Sequence, residues 1–239
     1  MDLRAVFFDI DDTLYSTSTF AARARRRAVE AMVTAGLDVP VEDAMRELDE
    51  VVREFTSNYG HHYDKLVLRL SESLRPGVHP AVIVAAGVIA YHHTKDELAP
   101  FPDAVGILDA LRETDLILGV ISNGLTVKQA EKLIRLDLHR FLSPGALFIS
   151  EEIGVAKPHP KIFLLACESV GVDPKEALYV GDNPEKDVDP AHEAGLITCL
   201  RRGEGKHASS RGQQKADFVV EDLRDLLPKL AKRFGIACG

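Results

Sequence analysis

Ala5-Val6-Phe7-Phe8-Asp9-Ile10-Asp11-Asp12-Thr13 runs from four apolar residues straight into three aspartates and a threonine. A short run that is apolar throughout suits a strand buried on both faces. A strand repeats its side-chain direction every second residue, so Asp9 and Asp11 face the same place at the strand's end. Two crowded carboxylates repel, and the arrangement is tolerable only with a cation or a shared proton. A hard divalent cation with oxygen ligands, magnesium above all, answers that need. Taken alone, the stretch also reads as an acidic turn capping a helix.

Working outward, five more apolar runs follow: Leu116–Ile121, Ala146–Ile149, Leu178–Val180, Leu196–Leu200 and Phe218–Val220. Between them lie helical spacings such as Ala104, Ile107, Leu108, Leu111 and Leu223, Leu226, Leu227, Leu230. The alternation predicts a doubly wound, parallel-sheet (Rossmann-like) α/β core, with ligands beyond the carboxyl ends of its strands. One interval breaks it. From residue 17 to residue 97 the patterns are helical, the clearest being Val41, Ala44, Met45, Leu48, Val51, Val52 and Phe55. Gly36, Pro40, Pro76-Gly77 and Pro80 punctuate them, and Pro100 and Pro102 mark the return. The expected organisation is a core of residues 1–16 plus 98–239, with a helical cap domain, 17–97, inserted after the first strand.

Three further elements each follow a predicted strand. Gly181-Asp182-Asn183-Pro184-Glu185-Lys186-Asp187 comes after Leu178–Val180. In a parallel sheet Asp182 shares the edge with Asp9 and completes a metal site, with Asp187 on the next turn, behind it or reaching the metal through a water. Ser122-Asn123-Gly124 ends the second run, where a hydroxyl and backbone N–H groups can hold phosphate oxygens. Lys157, in Gly154-Val155-Ala156-Lys157-Pro158, supplies positive charge for the aspartates and a transferring phosphoryl group. Singly, each reads as an ordinary turn or surface residue; four in this order, each after its own strand, do not.

Those four elements, Asp9–Thr13, Ser122, Lys157 and Gly181–Asp187, resemble the motifs of the haloacid dehalogenase superfamily, and the helical insert resembles that family's cap. The resemblance implies Asp9 as nucleophile, Asp11 as general acid/base, and Ser122 and Lys157 around the phosphate, to which the turn adds the backbone N–H of Asn123. It also implies Mg2+ held by the Asp9 carboxylate, the Asp11 backbone carbonyl and Asp182. Asp11 and Asp182 together argue against the family's metal-free dehalogenases, and Thr13 stands where its phosphomutases usually carry glycine. A magnesium-dependent phosphatase acting on a small phosphorylated metabolite is therefore expected, through an aspartyl-phosphate that splits one hard step into two. Ser57–Asp64, Ala21–Val29 and Gly124–Gln129 are similar to an archaeal group described as glyceraldehyde 3-phosphate phosphatases. The departure is Asp189-Pro190, where relatives usually continue with Gly-Ala, and its expected effect is confined to a helix start. A receiver-type phosphoacceptor domain is the rival reading; it lacks a large insert after the first strand and holds its phosphoryl group without turnover.

The bulk properties agree. Residues are 46% hydrophobic and 28% charged in 239, enough for a core and a solvated surface. The formal charge of −8 disfavours nucleic acid as a partner, and charged residues interrupt every run too soon for a membrane span. No secretory signal opens the chain, and Cys167, Cys199 and Cys238 lack metal spacing. A cytoplasmic monomer or homodimer is the reading. His61-His62 and His92-His93 read as solvated or packing residues, because neighbouring helical side chains diverge too far to share one ion. Arg23, Arg25, Arg26 and Arg27 read as a solvated helix face.

Overall fold

Each of the six apolar runs forms a strand: β1 (Ala5–Phe8), β2 (Ile117–Ser122), β3 (Leu147–Ile149), β4 (Ala177–Gly181), β5 (Ile197–Arg201) and β6 (Phe218–Val220). These come from a computed structural model that describes residues 2–56, 59–203, 207 and 209–236. All pairings are parallel and the order is β3-β2-β1-β4-β5-β6. The chain winds from β1 toward β3, then crosses to build the other half from β4. That reversal puts the carboxyl ends of β1, β2 and β4 side by side, the place where open α/β sheets bind ligands. Phe8 pairs with both Val120 and Val180, so the three strands end in near register.

The chain divides into two compact units, Met1–Ser18 with Ala99–Gly239, and Thr19–Leu98. The second is helical: α1 (Thr17–Ala35, which starts in the first unit), α2 (Val41–Phe55), α3 (His62–Arg69) and α4 (Pro80–Thr94). Its core gathers Val29, Met32, Leu37, Leu48, Leu66 and Ile83, fully buried. Gly87 lets α4 close on α1, because a Cβ there would lie 2.7 Å from Met32 Cγ. The arginine run pairs inside this unit, Arg26 with Glu42 at 2.5 Å and Arg27 and Arg23 with Glu97. His62 meets the Thr56 carbonyl at 2.8 Å and His61 lies 3.5 Å from Asp64. Neither ring joins a metal-competent cluster among the described residues. Ser57 and Asn58 lie outside the described residues, so that part of the resemblance has no structural counterpart here.

In the sheet unit, helices α5 (Pro102–Arg112), α6 (Thr126–Arg135), α7 (Ser150–Ile153), α8 (Lys161–Ser169) and α9 (Asp189–Glu193) lie between the strands, and α10 (Leu226–Phe234) follows the last of them. Pro102 sits in the first turn of α5, where its missing N–H costs nothing. Ala104, Ile107, Leu108 and Leu111 are the buried face of that helix. The spacing from Leu223 begins as a 3-10 turn, Leu223–Asp225, because the Asp222 carboxylate captures the Arg224 N–H at 2.8 Å before α10 starts. Asp189-Pro190 follows a π-helical turn, Pro184–Val188, and opens α9. The Asp189 carboxylate accepts from the Gln213 and Gln214 N–H groups, both at 2.8 Å, and so pins a distant loop. Arg201 pairs with Asp103 at 2.9 Å and donates to the Thr13 carbonyl at 2.6 Å, joining β5, α5 and the turn after β1. Cys167 and Cys199 are buried free thiols, and Cys238 lies outside the described residues. Among the described residues no helix is long and apolar enough to cross a membrane.

Candidate active site

Where β1 ends, the Asp9 N–H donates to the Val180 carbonyl at 2.9 Å, extending the pairing with β4 by one residue. The chain then turns sharply. Asp12 takes φ 58°, a left-handed conformation that aspartate tolerates better than most. Its carboxylate holds the turn by accepting from the Ser18 N–H at 3.0 Å and the Ser18 hydroxyl at 2.8 Å.

Asp9, Asp182 and Asp187 each present a carboxylate oxygen within 4.8 Å of the others. Lys157 stands among them. Its ammonium group donates to Asp9 Oδ1, Asp187 Oδ1 and the Tyr179 hydroxyl, each at 2.7 Å. An ammonium has three hydrogens, so this geometry uses all of them. The Tyr179 hydroxyl donates on to the Ile121 carbonyl at 2.9 Å. Asp187 is anchored from the far side, its Oδ2 accepting from the Asn183 N–H at 2.9 Å. Asn183 caps the π turn, its Oδ1 accepting from the Glu185 and Lys186 N–H groups. Gly181 makes room for this: a Cβ there would lie 2.5 Å from Asp187 Cγ.

Burial is the main cause of the two carboxyl shifts in this cluster. It pushes Asp9 up to about 6 against the pull of Lys157, with Asp187 and Asp11 adding to the rise. It pushes Asp182 up to about 8, helped by Asp187 and Asp9. For Lys157, burial favours the neutral amine, but the Asp187 and Asp9 carboxylates overcome it and hold the ammonium well above the ordinary lysine value. The acids crowd beyond what one lysine balances, and a further cation would relieve them.

Asn123 secures Lys157 through the backbone. Its Oδ1 accepts from the Lys157 N–H at 2.8 Å and its Nδ2 donates to the Lys157 carbonyl at 2.7 Å. Asn123, expected at the phosphate through its backbone N–H, thus uses its side chain to locate the lysine. Ser122 closes β2 with a hydroxyl that is 1% exposed and has no hydrogen-bond partner among the described residues. A buried hydroxyl left unpaired is costly and calls for a ligand atom.

Asp11 is held differently. Its carboxylate is not one of the three that converge. Oδ1 accepts from Tyr15 at 2.9 Å, Thr17 at 2.8 Å and Lys132 at 2.6 Å, and Oδ2 from Lys132 at 2.8 Å and Gln129 at 3.3 Å. Burial alone would raise its pKa, but the Lys132 charge and these hydrogen bonds outweigh it and hold the carboxyl below its usual range. The sequence reading missed Tyr179, Gln129 and Lys132. Tyr179 lies inside an apolar strand run and passes for core. Gln129 and Lys132 are three apart on one helix face, which was the available signal.

This constellation, on this topology, matches a known family model: haloacid dehalogenase-like hydrolase, over residues 3–195. The chain belongs to that family. Curated relatives named glyceraldehyde 3-phosphate phosphatase include one from Methanopyrus kandleri, 46% identical over 94% of this chain and 96% of its own length. Another, from Methanocaldococcus jannaschii, is 39% identical over 94% of this chain and 96% of its own length. The haloacid dehalogenase-like fold is shared with a solved phosphatase of the same superfamily from Thermococcus onnurineus. That structure has a TM-score of 0.68 at 24% identity and covers 95% of this chain and 98% of its own.

Proposed function

We propose that the chain is a magnesium-dependent phosphatase that hydrolyses a small phosphate monoester through an aspartyl-phosphate on Asp9. The observation that carries this is the convergence of Asp9, Asp182 and Asp187, with Lys157 bonded to Asp9 and Asp187 and the unpartnered Ser122 hydroxyl at the end of the adjacent strand. Among the described residues the converging donor set is carboxylate oxygen alone, which fits a hard cation such as Mg2+. Asp9 and Asp182, with the Asp11 backbone carbonyl, would hold it. When bound, it would offset the negative charge of the phosphoryl group and the carboxylates.

In this reading Asp9 attacks phosphorus and the bond to the substrate's alcohol oxygen breaks, leaving Asp9 phosphorylated. The Ser122 hydroxyl binds a phosphoryl oxygen, and the Lys157 charge offsets that of the transferring phosphoryl group. Asp11 serves as acid/base for the departing alkoxide and for the water that then releases inorganic phosphate and restores Asp9. Asp187 and Asn123 locate Lys157 from opposite sides. The helical unit is read as the family's cap domain, the part that selects the substrate. Glyceraldehyde 3-phosphate is the proposed substrate, on the strength of the two relatives' names and their near full-length match.

The test is release of inorganic phosphate from p-nitrophenyl phosphate and from a panel of phosphorylated metabolites, three-carbon sugars first. Excess chelator should abolish turnover and Mg2+ restore it. Asp9→Asn should fold and lose about 10³-fold or more in rate. Near-normal activity in that variant would remove Asp9 from its role. A single phosphorylation without repeated release would favour a phosphoacceptor domain instead.

A further inference from the structure

The Asp11 carboxylate is more tightly bound than its acid/base role alone would require. It receives five hydrogen bonds from four side chains: Tyr15, Thr17, Gln129 and Lys132. A carboxylate has about four lone-pair sites. Oδ1 accepts three of the five, at 2.6–2.9 Å. Oδ2 accepts the other two, and the Gln129 contact, at 3.3 Å, is the longest. Oδ2 therefore carries fewer bonds than Oδ1, and a water hydrogen can share or displace the long Gln129 contact there, while Lys132 is the group that spans both oxygens and fixes the plane of the carboxylate.

Gln129 is held so that it cannot rotate freely. Its Nε2 donates to the Asn123 carbonyl at 2.6 Å as well as to Asp11. Turning the amide over would set Oε1 against two oxygens, so its orientation follows from its partners. The same amide leaves Oε1 buried with no hydrogen-bond partner among the described residues. A free acceptor on the group that touches Asp11 Oδ2 suits the second hydrogen of a water lodged there.

From this geometry we propose that Lys132 is a positioning residue for the second half-reaction. It aims Asp11 Oδ2, with Gln129 beside it, at the water that hydrolyses phosphorylated Asp9. In that step the water oxygen bonds to phosphorus and the phosphorus bond to Asp9 breaks. The water's proton passes to Asp11 Oδ2, inorganic phosphate leaves, and Asp9 returns as carboxylate. The inference rests on the phosphatase reading above. It also assigns Lys132 a task separate from Lys157, which faces the first half-reaction.

The experiment uses p-nitrophenyl phosphate, whose leaving group departs without a proton, so kcat/KM reports formation of the aspartyl-phosphate alone. Lys132→Met should lower kcat about tenfold or more while kcat/KM stays within about threefold. A burst of p-nitrophenol approaching one per chain should precede the slow steady state. Lys132→Arg, which keeps a cation in reach, should recover part of kcat and shrink the burst. Asp11→Asn should show the same burst, more strongly. If Lys132→Met lowers kcat and kcat/KM together without a burst, while Asp11→Asn bursts, the Lys132 assignment is overturned and the phosphatase reading stands. If Asp11→Asn turns over without a burst, Asp11 is not the base and both assignments fall. Should Lys132→Met prove unfolded by circular dichroism, the burst in Lys132→Arg decides, and its absence together with parallel losses overturns the proposal.

Discussion

Lys157 donates to Asp9 Oδ1 across 2.7 Å although 148 residues separate them in the chain. Both side chains are almost wholly buried, and Asp187 flanks the ammonium from the other side. Removing one partner of such a group strands the remaining charges in a poor solvent. Lys157→Met should therefore cost about 3–5 kcal/mol of stability in the metal-free protein. It should also abolish turnover even at temperatures where the variant is fully folded. Urea unfolding followed by an assay at low temperature separates the two effects.

Tyr179 links Lys157 to the Ile121 carbonyl, so one hydroxyl serves a donor and an acceptor that are both inaccessible to water. Tyr179→Phe keeps the ring, including its edge contact with Phe163 at 4.8 Å between centroids. The loss is confined to hydrogen bonding and should amount to about 1–3 kcal/mol. Chemical denaturation of the two proteins measures it; an unchanged midpoint would mean that the hydroxyl's partners find others.

Asn123→Ala removes both side-chain bonds to the backbone of Lys157. Because the ammonium's placement depends on that backbone, kcat should fall more than KM rises. Asn123→Asp keeps the acceptor but sets a carboxylate oxygen against the Lys157 carbonyl, so its kcat should fall at least as far as in Asn123→Ala. Near-normal kcat in Asn123→Asp would count against a two-point clamp.

The pH dependence of stability follows from two raised carboxyl groups. Asp9 rises from 3.8 to about 6 and Asp182 from 3.8 to about 8. A group raised on folding lends stability that is fully present below its unfolded value and lost as pH climbs through its folded value. Metal-free protein should accordingly lose stability from about pH 4 to about pH 8. Added Mg2+ should recover most of it at the alkaline end, where the carboxylates are charged. Asp182→Asn, inactive by the proposal, should be more stable than the parent at pH 8.5 without metal, by at least about 1 kcal/mol. Thermal melts across pH, with and without Mg2+, check all three statements.

The sheet was readable because its strands are buried on both faces, so Ala5–Phe8 and its five counterparts stand out as uninterrupted apolar runs. The acids at the strand ends were readable for the opposite reason, as charges directly after such runs. What escaped was the support around them. Tyr179 is apolar along most of its length and sits where the strand pattern wants a large core residue, so its hydroxyl carries no signature. Lys132 lies on an amphipathic helix whose polar face reads as solvated, and only the fold shows that this face meets Asp11. Asn123 was singled out for its backbone, whereas its side chain grips a loop 34 residues away.

Gly181 carries no functional group, yet an added methyl would collide with the carboxyl carbon of Asp187 at 2.5 Å. The simplest possible enlargement there would tip Asp187 off Lys157 and leave every reactive atom of the enzyme chemically intact. A survey that ranks positions by what their side chains can donate, accept or attack would pass over it. One that counts inactive variants would find it among the least forgiving places in the chain, where emptiness itself is what the architecture requires.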